Sequence, residues 1–254
     1  MLTIITTSVG YGDYLSLTLP QSIKFGQVIV ATYGDDSLTL DVARKHEVIV
    51  HTTDAWYKED SAFNKGAGIN SALDMAASHG LLDDWLLLLD ADILMLPRPP
   101  DSQPVENLDQ TYLYGVRRRM CRSLSDLSEL QETKGYFDLP CAPLPYVVRG
   151  GRGRARVWGG RATSNPVGLQ GYFQLWHYPS YPRRMFEHKT AAKYDVKLAM
   201  TWPDSQRVLI PWRDYSVLHL GERKKNWNGR VTPYWEVAPL DYDELERLSR
   251  DYYG

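Results

Sequence analysis

The sequence predicts an α/β protein built on a mostly parallel sheet, and three observations lead there. WLLLLDADILMLP, at 85–97, is apolar without interruption until it meets two aspartates, as a central strand covered on both faces would be. LTIITT at 2–7, QVIVAT at 27–32 and EVIVH at 47–51 are shorter strand-like segments in a strand, helix, strand rhythm. The 254 residues suit one large domain or two intimately packed halves around a sizeable core.

In chain order, the first strand is followed by SVGYGDY, a glycine-containing loop expected at the carboxyl edge of the sheet. Residues 15–23 predict a short helix whose regularity Pro20 limits. After the second strand, Asp36 or Ser37 can cap a helix carrying Leu38, Val42 and Ala43. Past the third strand, residues 63–80 place Ile69, Leu73 and Ala76 or Ala77 at helical spacing, with Gly80 as terminator. Asn64, Lys65 and Gly66 fall at or just before the amino end of that helix, where free N–H groups and a lysine suit a phosphate. A lysine there can also be merely solvated.

The apolar run then puts Asp90 and Asp92 at the carboxyl end of its strand, the edge where open α/β sheets bind ligands. Two carboxylates there suit a hard divalent cation carrying phosphate oxygens. The competing reading has one aspartate capping a turn and the other in solvent.

Beyond Pro97 the texture changes to a proline-rich connector, then a strand at 113–120 with a basic end. Residues 123–134 predict a helix with Leu124, Leu127 and Leu130 on one face and Ser123 or Ser125 as cap. The segment from 139 to 168 is rich in Gly, Pro and Arg; its arginines at 149–161 read either as a solvated loop or as a flexible lid or acceptor-binding loop. GYFQLWHYPSYP at 171–182 predicts a core strand with Gln174 and His177 among its aromatics. Asp195 stands near the start of a helix carrying Val196, Leu198 and Ala199, and His219 lies on a strand within 215–230. Residues 239–254 predict an acidic terminal helix.

Charge is distributed unevenly. Residues 1–110 hold 6 Lys+Arg against 16 Asp+Glu, whereas 111–230 hold 21 against 9. An acidic half and a basic half imply two ligands of different kinds. The two cysteines, Cys121 and Cys141, have no metal-ligand spacing and provide no disulfide framework, which fits a reducing cytoplasm. The chain opens on a strand without a basic-then-apolar leader, and no run reaches membrane-spanning length, so the expectation is a soluble, unsecreted protein without a membrane partner.

The order VIVATYGDDSLTLDVARKH, FNKGAGINSALDMA, WLLLLDADILMLP resembles the nucleotide-sugar-binding half of glycosyltransferases with the GT-A fold. The resemblance covers about residues 2–100 and is most specific over 63–97. It implies a Rossmann-like mixed sheet flanked by helices, as a single domain with a donor half (1–100), an acceptor half (101–235) and an acidic tail (236–254). It implies a UDP-sugar donor whose diphosphate is neutralised by Mn2+ or Mg2+ on Asp90 and Asp92. His219, in a His-x-Gly segment followed by Lys224, Lys225 and Trp227, is similar to the family's third metal ligand, the alternative being a structural core histidine. The implied donor contacts are Thr6, Thr7, Ser8 and Tyr11, with Asp36, Asn64, Lys65, Asp90 and Lys225. Gln174 and His177 are implied on the acceptor side, and Asp195 as the general base of an inverting reaction, with Glu187 and Asp204 in reserve.

For the acceptor, the basic middle segment, with Arg152, Arg154 and Arg156, points to a phosphate-rich molecule. The chain resembles small phage enzymes that glycosylate hydroxymethylated pyrimidines, implying hydroxymethylcytosine in duplex DNA. A polysaccharide, lipid-linked sugar or protein acceptor is the rival, and a non-catalytic nucleotide-sugar-binding or nucleic-acid-binding protein is the rival of another class.

Overall fold

The computed structural model describes residues 1–98, 102, 104–139, 171–191, 194–210, 215–221, 226, 228–236 and 239–253. Its opening half alternates as the sequence predicts: β1 (Leu2–Thr7), α1 (Gly12–Ser22), β2 (Gln27–Thr32), α2 (Ser37–Lys45), β3 (Ile49–Thr52), a 3-10 segment (Ala55–Asp60), α3 (Lys65–Ser78) and β4 (Trp85–Asp90). β3, β2, β1 and β4 lie side by side and parallel. The same sheet continues through β8 (Phe173–His177), β6 (Leu113–Gly115) and β9 (Arg207–Leu209) to make seven strands. β8 alone runs against its neighbours. The protein is thus one α/β domain, with strands from both parts of the chain in one sheet.

The continuous apolar run of β4 follows from its two covered faces. Leu87 and Leu89 pack with Ile4, Val28, Val30, Leu15 and Leu175, while Leu86 and Leu88 pack on the opposite side with Ile5, Ile29, Ile69, Leu73 and Trp176. Each leucine of that stretch is at most 3% exposed, and burying one fully stabilises by about 1.5–3 kcal/mol.

The run does not continue as one strand. It ends at Asp90, turns through Ala91 and Asp92, and resumes as β5 (Ile93–Met95) in a second sheet of order β5, β10 (Val217–Leu220), β7 (Arg118–Cys121). The segment at 113–120 divides likewise between β6 and β7. α1, α4 (Leu124–Thr133) and α6 (Tyr242–Tyr253) pack against this smaller sheet through Tyr14, Leu17, Leu127, Leu130 and Leu245. α1 starts at Gly12 rather than 15, so part of the expected loop is helix. The start is anchored from outside, because Asp13 in its first turn binds Arg230 and accepts from the Trp235 N–H. Four elements among the described residues had no counterpart in the sequence reading: β9 and the 3-10 segments at Ala55–Asp60, Val105–Asn107 and Asp204–Gln206.

Candidate active site

β1 and β4 pair in register Thr7 to Asp90, so both end at the same edge of the sheet. α3 begins at that edge, with the Asn64 side chain accepting from the Ala67 N–H as its cap. The first residue of the helix, Lys65, reaches across and pairs with Asp90. Asp92, one turn beyond the strand, accepts through Oδ2 from His219 Nε2 at 3.2 Å. β10 sets the position of His219 by pairing antiparallel with β5, where His219 faces Ile93, and parallel with β7, where it faces Met120. Leu220 N donates to Asp92 O at 2.8 Å, which holds the turn against the strand.

Gly221 follows at φ +83°, in the left-handed region, and a Cβ there would stand 2.6 Å from the Tyr14 hydroxyl. The His-x-Gly spacing is therefore a backbone requirement.

The site is deep but reached by solvent. Lys65 and His219 keep 10% and 9% of their side-chain surface, Asp90 and Asp92 25% and 18%. Burial pushes the Asp90 carboxyl up; Lys65 opposes this and the charge of Asp92 adds to it. Burial acts on Asp92 in the same sense, but His219, Lys65 and Arg118 together outweigh it and hold the carboxyl below its ordinary value. Among the described residues, Asp92 Oδ1 is buried and has no hydrogen-bond partner. A buried, ionised carboxylate oxygen without a donor is costly, and a cation offsets that cost.

Around this centre lie side chains that the sequence reading did not single out for the site. The Tyr172 ring stacks beside His219, with centroids 6.4 Å apart, and Arg118 lies 4.4 Å over the same ring. Lys65 lies 5.0 Å over the ring of Tyr194, a buried residue whose hydroxyl is pushed well up by burial and by the charges of Asp90, Asp195 and Asp92. Arg118 carried a signal as one of three consecutive arginines; the two tyrosines carried none beyond being aromatic.

A second, wholly buried ion pair closes one side. Arg230 pairs with Asp13, their side chains 5% and 4% exposed, and donates to Gly10 O at 2.9 Å and Pro233 O at 2.7 Å. The Tyr11, Tyr14 and Tyr234 rings surround the guanidinium at 5.0, 4.7 and 4.4 Å. Burial raises the Tyr11 hydroxyl, and the charges of Asp92 and Asp90 add to it.

The other predicted donor residues serve the scaffold. Thr6 Oγ1 donates to Leu89 O at 2.9 Å, and Ser8, fully buried, bonds Thr39 Oγ1 at 2.9 Å. Thr7 is 8% exposed and lies beside Asp90. Asp36 caps α2 and also accepts from Gly10 N at 2.6 Å, tying the loop after β1 to that helix. Asn64 Oδ1 accepts from His188 N as well as Ala67 N. Segment 185–189 thereby covers the amino end of α3, so close that a Cβ on Gly66 would meet Phe186 O at 2.2 Å. The expectation of free N–H groups there for a phosphate is corrected: the segment occupies that end.

On the acceptor side, His177 is corrected most clearly. Because β8 runs antiparallel, His177 pairs with Trp85, five positions back from Asp90 along β4 and about 16 Å away at ~3.3 Å per residue. It bonds Ser180 at the far edge of the sheet. Gln174 is fully buried and donates to Asp195 O at 3.0 Å, joining β8 to α5 (Tyr194–Ala199). Asp195 accepts from Gly171 N and Val196 N, both at 2.7 Å, beside Tyr194. Glu187 accepts from Asn70 at 2.9 Å, and Asp204 pairs with Arg207. Arg118 and Arg119 are buried, so these two arginines of the basic stretch do not contribute to an open face, whereas Arg184 is exposed and pairs with Asp74. Arg152, Arg154, Arg156 and Lys225 lie outside the described residues.

Among the described residues, no group of three His, Cys, Asp or Glu side chains is arranged to hold a metal ion, since Asp90 faces Lys65. The available donor set, two carboxylates and an imidazole, nevertheless suits manganese, and Asp92 Oδ1 has a coordination position to offer. No helix among the described residues is long and apolar enough to cross a membrane.

No family model and no curated protein matches the chain. Among solved structures it is similar to a mannosyltransferase from Pyrobaculum calidifontis in complex with GDP-Man and Mn2+, at 10% identity and TM-score 0.46, covering 88% of this chain and 57% of that one. It is similar to glucosyl-3-phosphoglycerate synthase from Mycobacterium tuberculosis in complex with Mn2+, UDP and glucosyl-3-phosphoglycerate, at 12% identity and TM-score 0.44, covering 98% and 76%. An active-site mutant of LgtC follows at 12% identity and TM-score 0.38, covering 82% and 72%. At these values neither family nor activity follows from the likeness.

Proposed function

We propose that the protein is a divalent-metal-dependent glycosyltransferase that moves a sugar from a nucleoside diphosphate sugar, UDP-sugar by resemblance, to a hydroxyl acceptor. The observation that carries the reading is Asp92: one carboxylate oxygen on His219, the other buried without a donor among the described residues, at the carboxyl edge of the parallel strands. Asp90, Asp92 and His219 are the residues that would hold Mn2+ or Mg2+. When bound, the metal supplies Lewis-acid neutralisation of the leaving diphosphate.

The chain's own side chains then have distinct tasks. Lys65, reaching the edge from α3, offers its ammonium to diphosphate oxygens. Tyr11, whose ring lies 5.0 Å from the Arg230 guanidinium, is carried as a contact of the donor. Asp195, held by two backbone N–H groups, is carried as the base that takes the acceptor proton through a remaining lone pair.

The acceptor we carry is hydroxymethylcytosine in duplex DNA. The arginines at 149–161 support it, whereas the burial of Arg118 and Arg119 removes two basic groups from its footing. A saccharide or protein acceptor is the competing outcome.

The test is release of nucleoside diphosphate from UDP-glucose and a pool of other nucleotide sugars. Mn2+ is present or chelated, with hydroxymethylcytosine DNA, plain DNA or no acceptor. Metal-dependent release that requires the modified DNA supports both halves. Release indifferent to DNA keeps the donor half and turns the acceptor to saccharide or protein. No release under any condition sinks the enzyme reading and leaves a binding protein.

A further inference from the structure

We infer that Lys65 makes metal binding conditional on the donor: its ammonium holds the Asp90 carboxylate until a nucleoside diphosphate draws it away. This deepens the metal-dependent reading above and rests on it. Asp90 and Asp92 are both partly sunk in the protein, and among the described residues Asp90 pairs directly with Lys65 and Asp92 with His219. The partners differ in what they can do. His219 is fixed between β5 and β7 by strand pairing on both sides. Lys65 is attached by a flexible four-carbon stem at the first turn of α3, with the Tyr194 ring beneath its ammonium.

A dication shared by Asp90 and Asp92 would stand one carboxylate away from that ammonium. Like charges at such range in a poorly solvated site repel strongly, so either metal or lysine must yield Asp90. A nucleoside diphosphate changes the balance because it brings anionic oxygens to the same edge. Lys65 then exchanges one anionic partner for another, and Asp90 becomes available to the metal. Free protein therefore binds metal weakly, and metal and donor favour each other by a reciprocal coupling.

The experiment is a Mn2+ titration of the full chain followed by loss of the free-ion EPR signal, with and without UDP, after subtraction of a protein-free UDP titration. Wild type, Lys65→Met and Lys65→Arg are compared, each checked for a cooperative melt. Lys65→Met is expected to bind Mn2+ alone about tenfold more tightly than wild type and to gain less from UDP, whereas Lys65→Arg keeps the wild-type pattern. If Lys65→Met does not melt cooperatively, Lys65→Gln carries the same expectation. A folded, uncharged variant with wild-type or weaker affinity for Mn2+ alone overturns the coupling while leaving the metal site standing. No Mn2+ binding by any variant, with or without UDP, overturns the metal site and the coupling with it.

Discussion

His219 Nε2 lies 3.2 Å from Asp92 Oδ2 across a sequence separation of 127 residues. Two strands, β5 and β10, bring them together in the small sheet, and the other Asp92 oxygen is buried without a partner among the described residues. This pair is the part of the site whose chemistry is most constrained, and it yields the first test.

Asp92→Asn replaces a charged oxygen by an amide of the same shape. Nucleoside diphosphate release in Mn2+ should fall by about 100-fold or more, while the melting temperature moves by no more than about 4 °C. Near-normal activity in this variant would refute the metal assignment.

Asp195→Asn should leave donor binding intact and reduce transfer by about 10²- to 10⁴-fold, because a general base is lost while the side chain keeps its shape. Donor KM and kcat measured together separate the two. A variant that transfers at full rate shows that Asp195 only ties Gly171 to α5.

Arg230→Met strands Asp13 in a site where its side chain is 4% exposed. Removing one partner of a buried pair costs about 3–5 kcal/mol, so thermal melting should fall by about 10 °C. Asp13→Leu added to it should recover part of the loss, since no unpaired charge then remains. A single variant that melts with the wild type would show the pair to be dispensable.

Burial pushes the Cys121 thiol up to about 12, and the charge of Asp126 adds to this. In a Cys141→Ser background the folded protein at pH 8 should present no thiol to a disulfide reagent, and one after denaturation. Prompt reaction of the native protein would mean that the small sheet opens readily.

Local pattern made much of this architecture legible. β1, β2 and β4 begin where the apolar segments begin, and Asn64 and Ser123 cap their helices because a short polar side chain ahead of an apolar face offers the acceptor that a first turn needs. The edge carrying Asp90 and Lys65 followed from strand order alone. His177 was misplaced for an equally physical reason: residue pattern fixes that a segment is a strand but not its direction, and reversing β8 carries its last residue to the far edge. The arginine count misled similarly, since Arg118 and Arg119 are buried while a net charge is blind to burial.

By itself, then, the sequence determined the parallel opening half, the helix that delivers Lys65 and the strand that ends in Asp90, because each depends on spacing within about twenty residues. Only the tertiary structure decided that Lys65 faces Asp90, that His219 takes Asp92, and that Arg230 closes on Asp13 across 217 positions. The last two pairings depend on how β10 and the segment around Arg230 return to the body of the protein. Opposite charges that far apart in a chain carry no local signature of their partner; packing selects it.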